Sequence, residues 1–298
     1  MINREAVAAP VCDRGEELCR ASDNTRTAAP TLPKDARLPI NRCNLPAVIL
    51  GGLTFQRHPV PLHLDSVAEL HVDLFRHLDR LDAAEARAQT FRDYLTVQFR
   101  LEHLDEAGLS AHSKQRAKAN WIRMLRGWSF DADSREGAVL KGWVESRFGL
   151  LPRFHGEPLR NSGDHGDSAW RRYEEMRSQG LYGTNALEAQ LDLLYTYAQY
   201  EFVRSAADSH RTLYRGANRL ADHEVLAQDG ARQIVLFNNL TSFTTSRERA
   251  GEFGDLIFEA EVPLPKIFFH CRLLPGVLGG EEEHLVIGGA YAVTVHRF

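Results

Sequence analysis

Glu281, Glu282 and Glu283 stand in a row, after Gly279 and Gly280 and before the apolar run Leu285-Val286-Ile287. Glycine admits the backbone angles of a tight turn, and Leu, Val and Ile favour buried extended chain. The spacing therefore predicts a turn that feeds a strand. Side chains alternate across a strand, so Glu281 and Glu283 are expected on one face and Glu282 on the other. Two carboxylates at the mouth of a buried strand repel each other. Together they also offer negative charge to any cation that forms between them. A solvated acidic turn has the same composition, so the chemistry depends on what else converges there.

Two upstream segments have a matching character. Arg215 closes the short apolar stretch 212–215 and is followed by Gly216. A guanidinium can grip phosphate oxygens in pairs, and it can equally serve as an ordinary strand-end ion pair. Thr244, Thr245 and Ser246 end a hydroxyl-rich strand. Threonine belongs in strands on propensity alone, and Ser246 suits the cap of a following helix. Phe253 comes after that helix, where core packing is its plainest role. Other catalytic patterns fail. His223-Glu224 has no second histidine for a zinc-protease helix, because position 227 is Ala, and neither GxSxG nor GxGxxG occurs. A two-carboxylate glycosidase also passes through a sugar cation, but its carboxylates flank the sugar from opposite sides. Neighbours two apart on one strand cannot do that.

The order arginine, hydroxyl strand, Glu-x-Glu occupies roughly the last third of the chain. It resembles the arginine–serine–glutamate class of mono-ADP-ribosyltransferases. The resemblance implies NAD+ as substrate, held in the cleft of a split pair of sheets, a site able to hold ADP, and no structural metal. It implies that Arg215 anchors NAD+ and that the backbone of Gly216 meets the nicotinamide amide. Thr244, Thr245 and Ser246 match the class's Ser-Thr-Ser, with Thr244 in the place of the serine that holds the catalytic glutamate. Phe253 matches an aromatic or apolar position. Glu283 matches the catalytic carboxylate that accepts from the ribose 2′-hydroxyl and steadies the oxocarbenium-like cation. Glu281 would orient an acceptor guanidinium and take its proton, since arginine with a pKa above ~12 needs such help. The turn 274–280 lacks the aromatic that many relatives use to recognise the acceptor, so recognition is expected elsewhere, the helical half included. His284 stands where an aliphatic residue is usual.

Residues 41–46, 53–62 and 236–243 extend the resemblance over the whole chain, to the bacterial branch of the class that modifies dinitrogenase reductase. That implies a surface arginine of the nitrogenase iron protein as acceptor, a PII-type signal protein as regulator, and a separate glycohydrolase that removes the mark. Two other readings stay open: an NAD glycohydrolase with water as acceptor, and a non-catalytic nucleotide-sensing module.

The elements that must position these residues follow from periodicity. Residues 1–38 are polar and proline-bearing and read as a flexible leader. Residues 39–208 are mainly helical, with apolar residues three and four apart. Residues 209–298 break into short strands at 212–215, 232–237, 241–246, 256–262, 266–271, 284–287 and 291–296. Helix 184–208 is expected to pack on them, giving an α+β fold. A net charge of −4 lacks the basic excess of a nucleic-acid binder. The four cysteines form no CxxC pair and fit a reducing cytoplasm. No apolar run approaches ~18 residues, so no membrane span is expected, and no secretory signal is visible. Lys114, Arg116, Lys118, Arg123 and Arg126 cluster beside Trp121 and Trp128. They read as a solvated helix face, with a docking patch for an acidic protein surface as the alternative.

Overall fold

The computed structural model describes residues 30–101, 119–159, 167–182, 184–205, 208–220, 223–278 and 282–297. Helices dominate the described residues up to 205: α1 (Ala47–Leu50), α2 (Leu53–Arg57), α3 (Val67–Leu70), α4 (Val72–Leu78), α5 (Ala84–Phe99), α6 (Trp121–Phe130), α7 (Arg135–Phe148), α8 (Ser168–Gly180) and α9 (Ala186–Ser205). The small hairpin of β1 (Phe154–His155) and β2 (Glu157–Pro158) lies between α7 and α8. Local chemistry sets the helix ends. The side chains of Asn120 and Ser134 accept from Ile122 N and Gly137 N at the starts of α6 and α7. Gly149, at φ 69°, ends α7 in the left-handed region where a side chain is strained.

Helix α9 is the hub. Leu187, Leu191, Leu194, Ala198 and Phe202, three or four apart along one face, are buried, and so are Leu193, Tyr195 and Tyr197 beyond it. A helix apolar on more than one face must be sandwiched. On one side Tyr197 stacks on Phe91 of α5, with ring centroids 4.0 Å apart. On the other, the Tyr195 hydroxyl donates to Pro265 O beside the sheet at 2.8 Å. Helices and strands share one hydrophobic core.

The β half comprises β3 (His210–Ala217), β4 (Glu224–Asp229), β5 (Arg232–Thr244), β6 (Leu256–Pro263), β7 (Ile267–His270) and β8 (Glu283–Arg297). All named pairings are antiparallel, so the chain is α+β. The expected split pair of sheets is instead one connected six-stranded sheet, in the order β4-β5-β3-β6-β8-β7 with β5 also paired to β8. The reason is that two pairs of expected short strands are each one long bent strand. β5 runs through a register shift between Phe237 and Leu240. β8 runs through Gly288 and Gly289 and pairs with β7 by its first half and with β6 by its last. At that bend a Cβ on Gly289 would lie 2.6 Å from Gly51 O, which accepts from Ala290 N at 2.8 Å. Only glycine permits that approach. Where β6 and β8 diverge, the buried Gln56 amide replaces a missing rung: its Nε2 donates to Glu261 O and Ala292 O, and its Oε1 accepts from Ala292 N.

Part of the expected leader is packed. Leu32 and Ala36 are each 2 % exposed, and Leu38 N and Leu151 N pair this segment with the end of α7 at Gly149 O and Ala36 O. In the basic cluster, Lys114, Arg116 and Lys118 lie outside the described residues. Trp121 and Trp128 are buried core residues, and Arg123 is paired with Glu136 at 3.0 Å. Among the described residues no helix is long and apolar enough to cross a membrane.

Candidate active site

β3, β5 and β8 bring Arg215 and Glu283 together. In register, Tyr214 of β3 lies opposite Thr244, and Thr244 lies opposite Glu283. Glu283 is 8 % exposed. Its Oε1 accepts from the hydroxyl of Ser242 at 2.6 Å. The Arg215 guanidinium donates from Nη1 to the main-chain oxygen of the same Ser242 at 2.9 Å. Burial pulls the pKa of Arg215 below the usual arginine value, and the charge of Glu283 works against that pull. Arg215 Nε is shielded and makes no hydrogen bond. Arginine, serine and glutamate thus form one connected cluster.

That cluster opens on a cavity of about 420 Å³, lined among others by Trp128, Phe130, Arg215, Gly216, Ser242, Thr244, Arg249, Phe253 and Glu283. Its size is ordinary for a small-molecule site. A carboxylate and a guanidinium on one wall suit a ligand that carries both a developing cation and phosphates. The cavity combines them with exposed rings, Phe253 at 63 % and Phe130 at 95 % exposure. Phe253 is therefore a cavity-rim residue and not the core residue its apolar character suggests. A larger cavity of about 690 Å³ lies between the 59–64 loop and α9, is mostly apolar, and holds none of the candidate residues. The chemistry converges on the smaller one.

Other expected residues have local work. A Cβ on Gly216 would fall 1.9 Å from Ala250 O of α10 (Arg247–Gly251), so glycine here lets that helix lie directly on β3. Thr244 Oγ1 accepts from Ser246 N at 3.2 Å, and Ser246 caps α10 by accepting from Arg249 N. Thr245 donates to Glu282 Oε2 at 2.8 Å. The hydroxyl that reaches Glu283 is thus Ser242's, not Thr244's. The two are two residues apart on one strand and share a face, so spacing does not separate them. Glu281 lies outside the described residues.

The acidic turn departs from simple alternation. β8 begins at Glu283, and Glu282 sits at φ 48° in the left-handed region. His284 supports that conformation. Arg211 Nη1 approaches its Nε2 at 3.2 Å, and its Nδ1 lies 2.8 Å from Glu282 O. Guanidinium only donates, so Nε2 accepts and Nδ1 carries the proton to the carbonyl. This requires a neutral ring. Burial holds the pKa of His284 down to about 4, and that of the stacked His270 to about 3. Both lie below the unfolded value of ~6.5. The unfolded chain therefore binds protons that the folded chain refuses, and stability falls as pH drops from about 6.5 toward 4. Urea unfolding should show a loss on the order of 2–3 kcal/mol per such ring over that window. The loss should be smaller in His284→Gln; an identical pH slope in that variant would count against His284.

The turn before the glutamates is fastened from the helical half. Arg92 of α5 donates to Pro275 O at 3.1 Å and Arg126 of α6 to Val277 O at 3.3 Å, while Leu274 and Val277 are buried in the core.

The dinitrogenase reductase ADP-ribosyltransferase family matches residues 40–295, and the chain belongs to that family. It is 38% identical over 259 residues to the NAD(+)--dinitrogen-reductase ADP-D-ribosyltransferase of Rhodospirillum rubrum, covering 85% of this chain and 93% of that one. No solved structure matches the chain.

Proposed function

We propose that the protein transfers ADP-ribose from NAD+ to a surface arginine of dinitrogenase reductase, the activity for which its Rhodospirillum rubrum relative is named. The observation that carries the reading is the buried Glu283 carboxylate, aimed by Ser242 and bordering the same cavity as Arg215. Arg215 and the backbone at Gly216 hold the dinucleotide, and Phe253 offers a ring face to one of its bases. Thr244, Thr245 and Ser246 fix the wall beside it. The bond between nicotinamide and ribose C1′ breaks, and its electron pair leaves on nicotinamide. The sugar becomes cationic, and Glu283 stabilises it through charge and the 2′-hydroxyl. An acceptor guanidinium nitrogen forms the new bond to C1′, and its proton passes to Glu281. A fixed anion beside a developing cation in a shielded cleft is worth ~3–4 kcal/mol. The reading carries with it a cytoplasmic setting and a PII-type regulator.

The test is incubation with labelled NAD+ and the iron protein, followed by mapping of the modified residue. Label on one arginine is expected. Glu281→Gln should abolish transfer and spare nicotinamide release. Release with no label on any protein, in the unmodified enzyme, would assign water as the acceptor.

A further inference from the structure

Trp128 lies on α6, 114 residues before Ser242, which it touches, and is 3 % exposed. Its indole Nε1 donates to Ser242 Oγ at 2.9 Å, and the same hydroxyl donates to Glu283 Oε1 at 2.6 Å. The chemistry of the two donors gives this chain a direction. An indole N–H can only donate, whereas a hydroxyl has one proton and two acceptor sites. Once Trp128 engages the oxygen of Ser242 as acceptor, the proton of Ser242 is left to point at the carboxylate. Without the indole N–H, the hydroxyl can turn to other acceptors and Glu283 loses a fixed donor.

The indole is itself held. Lys141 Nζ lies 5.8 Å from the centroid of its ring. That ammonium is fixed by Asp133 at 2.7 Å and Phe154 O at 3.0 Å, and the main-chain oxygen of Lys141 accepts from Asn239 of β5 at 2.7 Å. A buried tryptophan needs a partner for its N–H, and any backbone carbonyl would serve. Here the partner is the Ser242 hydroxyl, which itself donates to the candidate catalytic carboxylate.

We propose that Trp128 is a positioning residue for the transferase reaction, acting through Ser242 to set which way the hydroxyl points and so to keep Glu283 aimed at the ribose. The inference rests on the reading of Glu283 given above. It makes the helical half part of the catalytic device as well as its support.

The test replaces the indole N–H by sulfur, Trp128→benzothienylalanine, which keeps the ring's size and shape; Trp128→Phe is the encoded counterpart. Nicotinamide release is followed in the presence of NAD+ and the iron protein. The expected result is a kcat about tenfold lower, the scale of one hydrogen bond to a charged group. The KM for NAD+ and the melting temperature of the benzothienyl variant should be unchanged. In a Ser242→Ala background the same replacement should lower kcat no further, because the intermediary is gone. An equal loss in both backgrounds, an effect on KM alone, or no effect on kcat would overturn the proposal. Glu283→Gln measured alongside separates the two failures. If it abolishes release while Trp128 variants are silent, Trp128 is not a positioning residue. If it too leaves release intact, the assignment of Glu283 has failed.

Discussion

Glu283→Gln lowers the rate of nicotinamide release by about 10²–10³-fold, the cost of removing one group that stabilises transition-state charge. The substitution keeps the shape of the side chain and its ability to accept from Ser242, whose hydroxyl lies 2.6 Å away. It removes the negative charge and replaces one acceptor oxygen by an amide donor. Affinity for NAD+ should change little, because the ground-state ribose carries much less positive charge than the transition state. The melting temperature should hold or rise, since an 8 % exposed carboxylate is costly to keep ionised. Single-turnover release and NAD+ titration measure the two quantities separately. A release rate within threefold of the unmodified enzyme would falsify the role given to Glu283.

Arg87→Met should be the most destabilising single change, about 3–5 kcal/mol, with little direct effect on chemistry. Arg87 of α5 meets Glu201 of α9 with two parallel bonds of 2.7 and 2.8 Å, and its Nη1 also donates to Leu81 O and Asp82 O. The side chains are 6 % and 11 % exposed. Methionine fills similar volume but leaves Glu201 buried without its cation and two carbonyls without a donor. Chemical denaturation should show the loss at neutral pH. The double variant Arg87→Met, Glu201→Met should recover much of it, because the desolvation cost of both charges disappears together. A single variant as stable as the parent would mean that water replaces the missing partner.

The helical half was legible because its apolar residues recur at helical spacing: Leu187, Leu191, Leu194 and Ala198 alone place α9. The strands were legible as segments, but their continuity was not. Gly288-Gly289 and Asn238-Asn239 carry turn-type composition, yet β5 and β8 bend there without stopping. Each bend is held by tertiary contacts that no local pattern announces: the Gly51 carbonyl accepts from Ala290 N of β8, and the Asn239 amide of β5 donates to Lys141 O and Leu150 O. β4 went unread because only Val225, Leu226 and Ala227 of its residues are apolar and its pairing is to β5 alone. In the site, residue types and order picked out Arg215 and Glu283, which share one cavity in the fold. They did not distinguish Ser242 from Thr244, because a period of two gives both the same face. Trp128 carries no sequence signal, since its relation to Ser242 exists only once α6 lies against β5.

Arg92 and Arg126 hold the carbonyls of Pro275 and Val277 from two different helices. The loop 274–278, which leads toward the acidic run, is therefore tied to two helices by guanidinium side chains. The loop's resting shape is accordingly set by the scaffold opposite as well as by the strand it precedes.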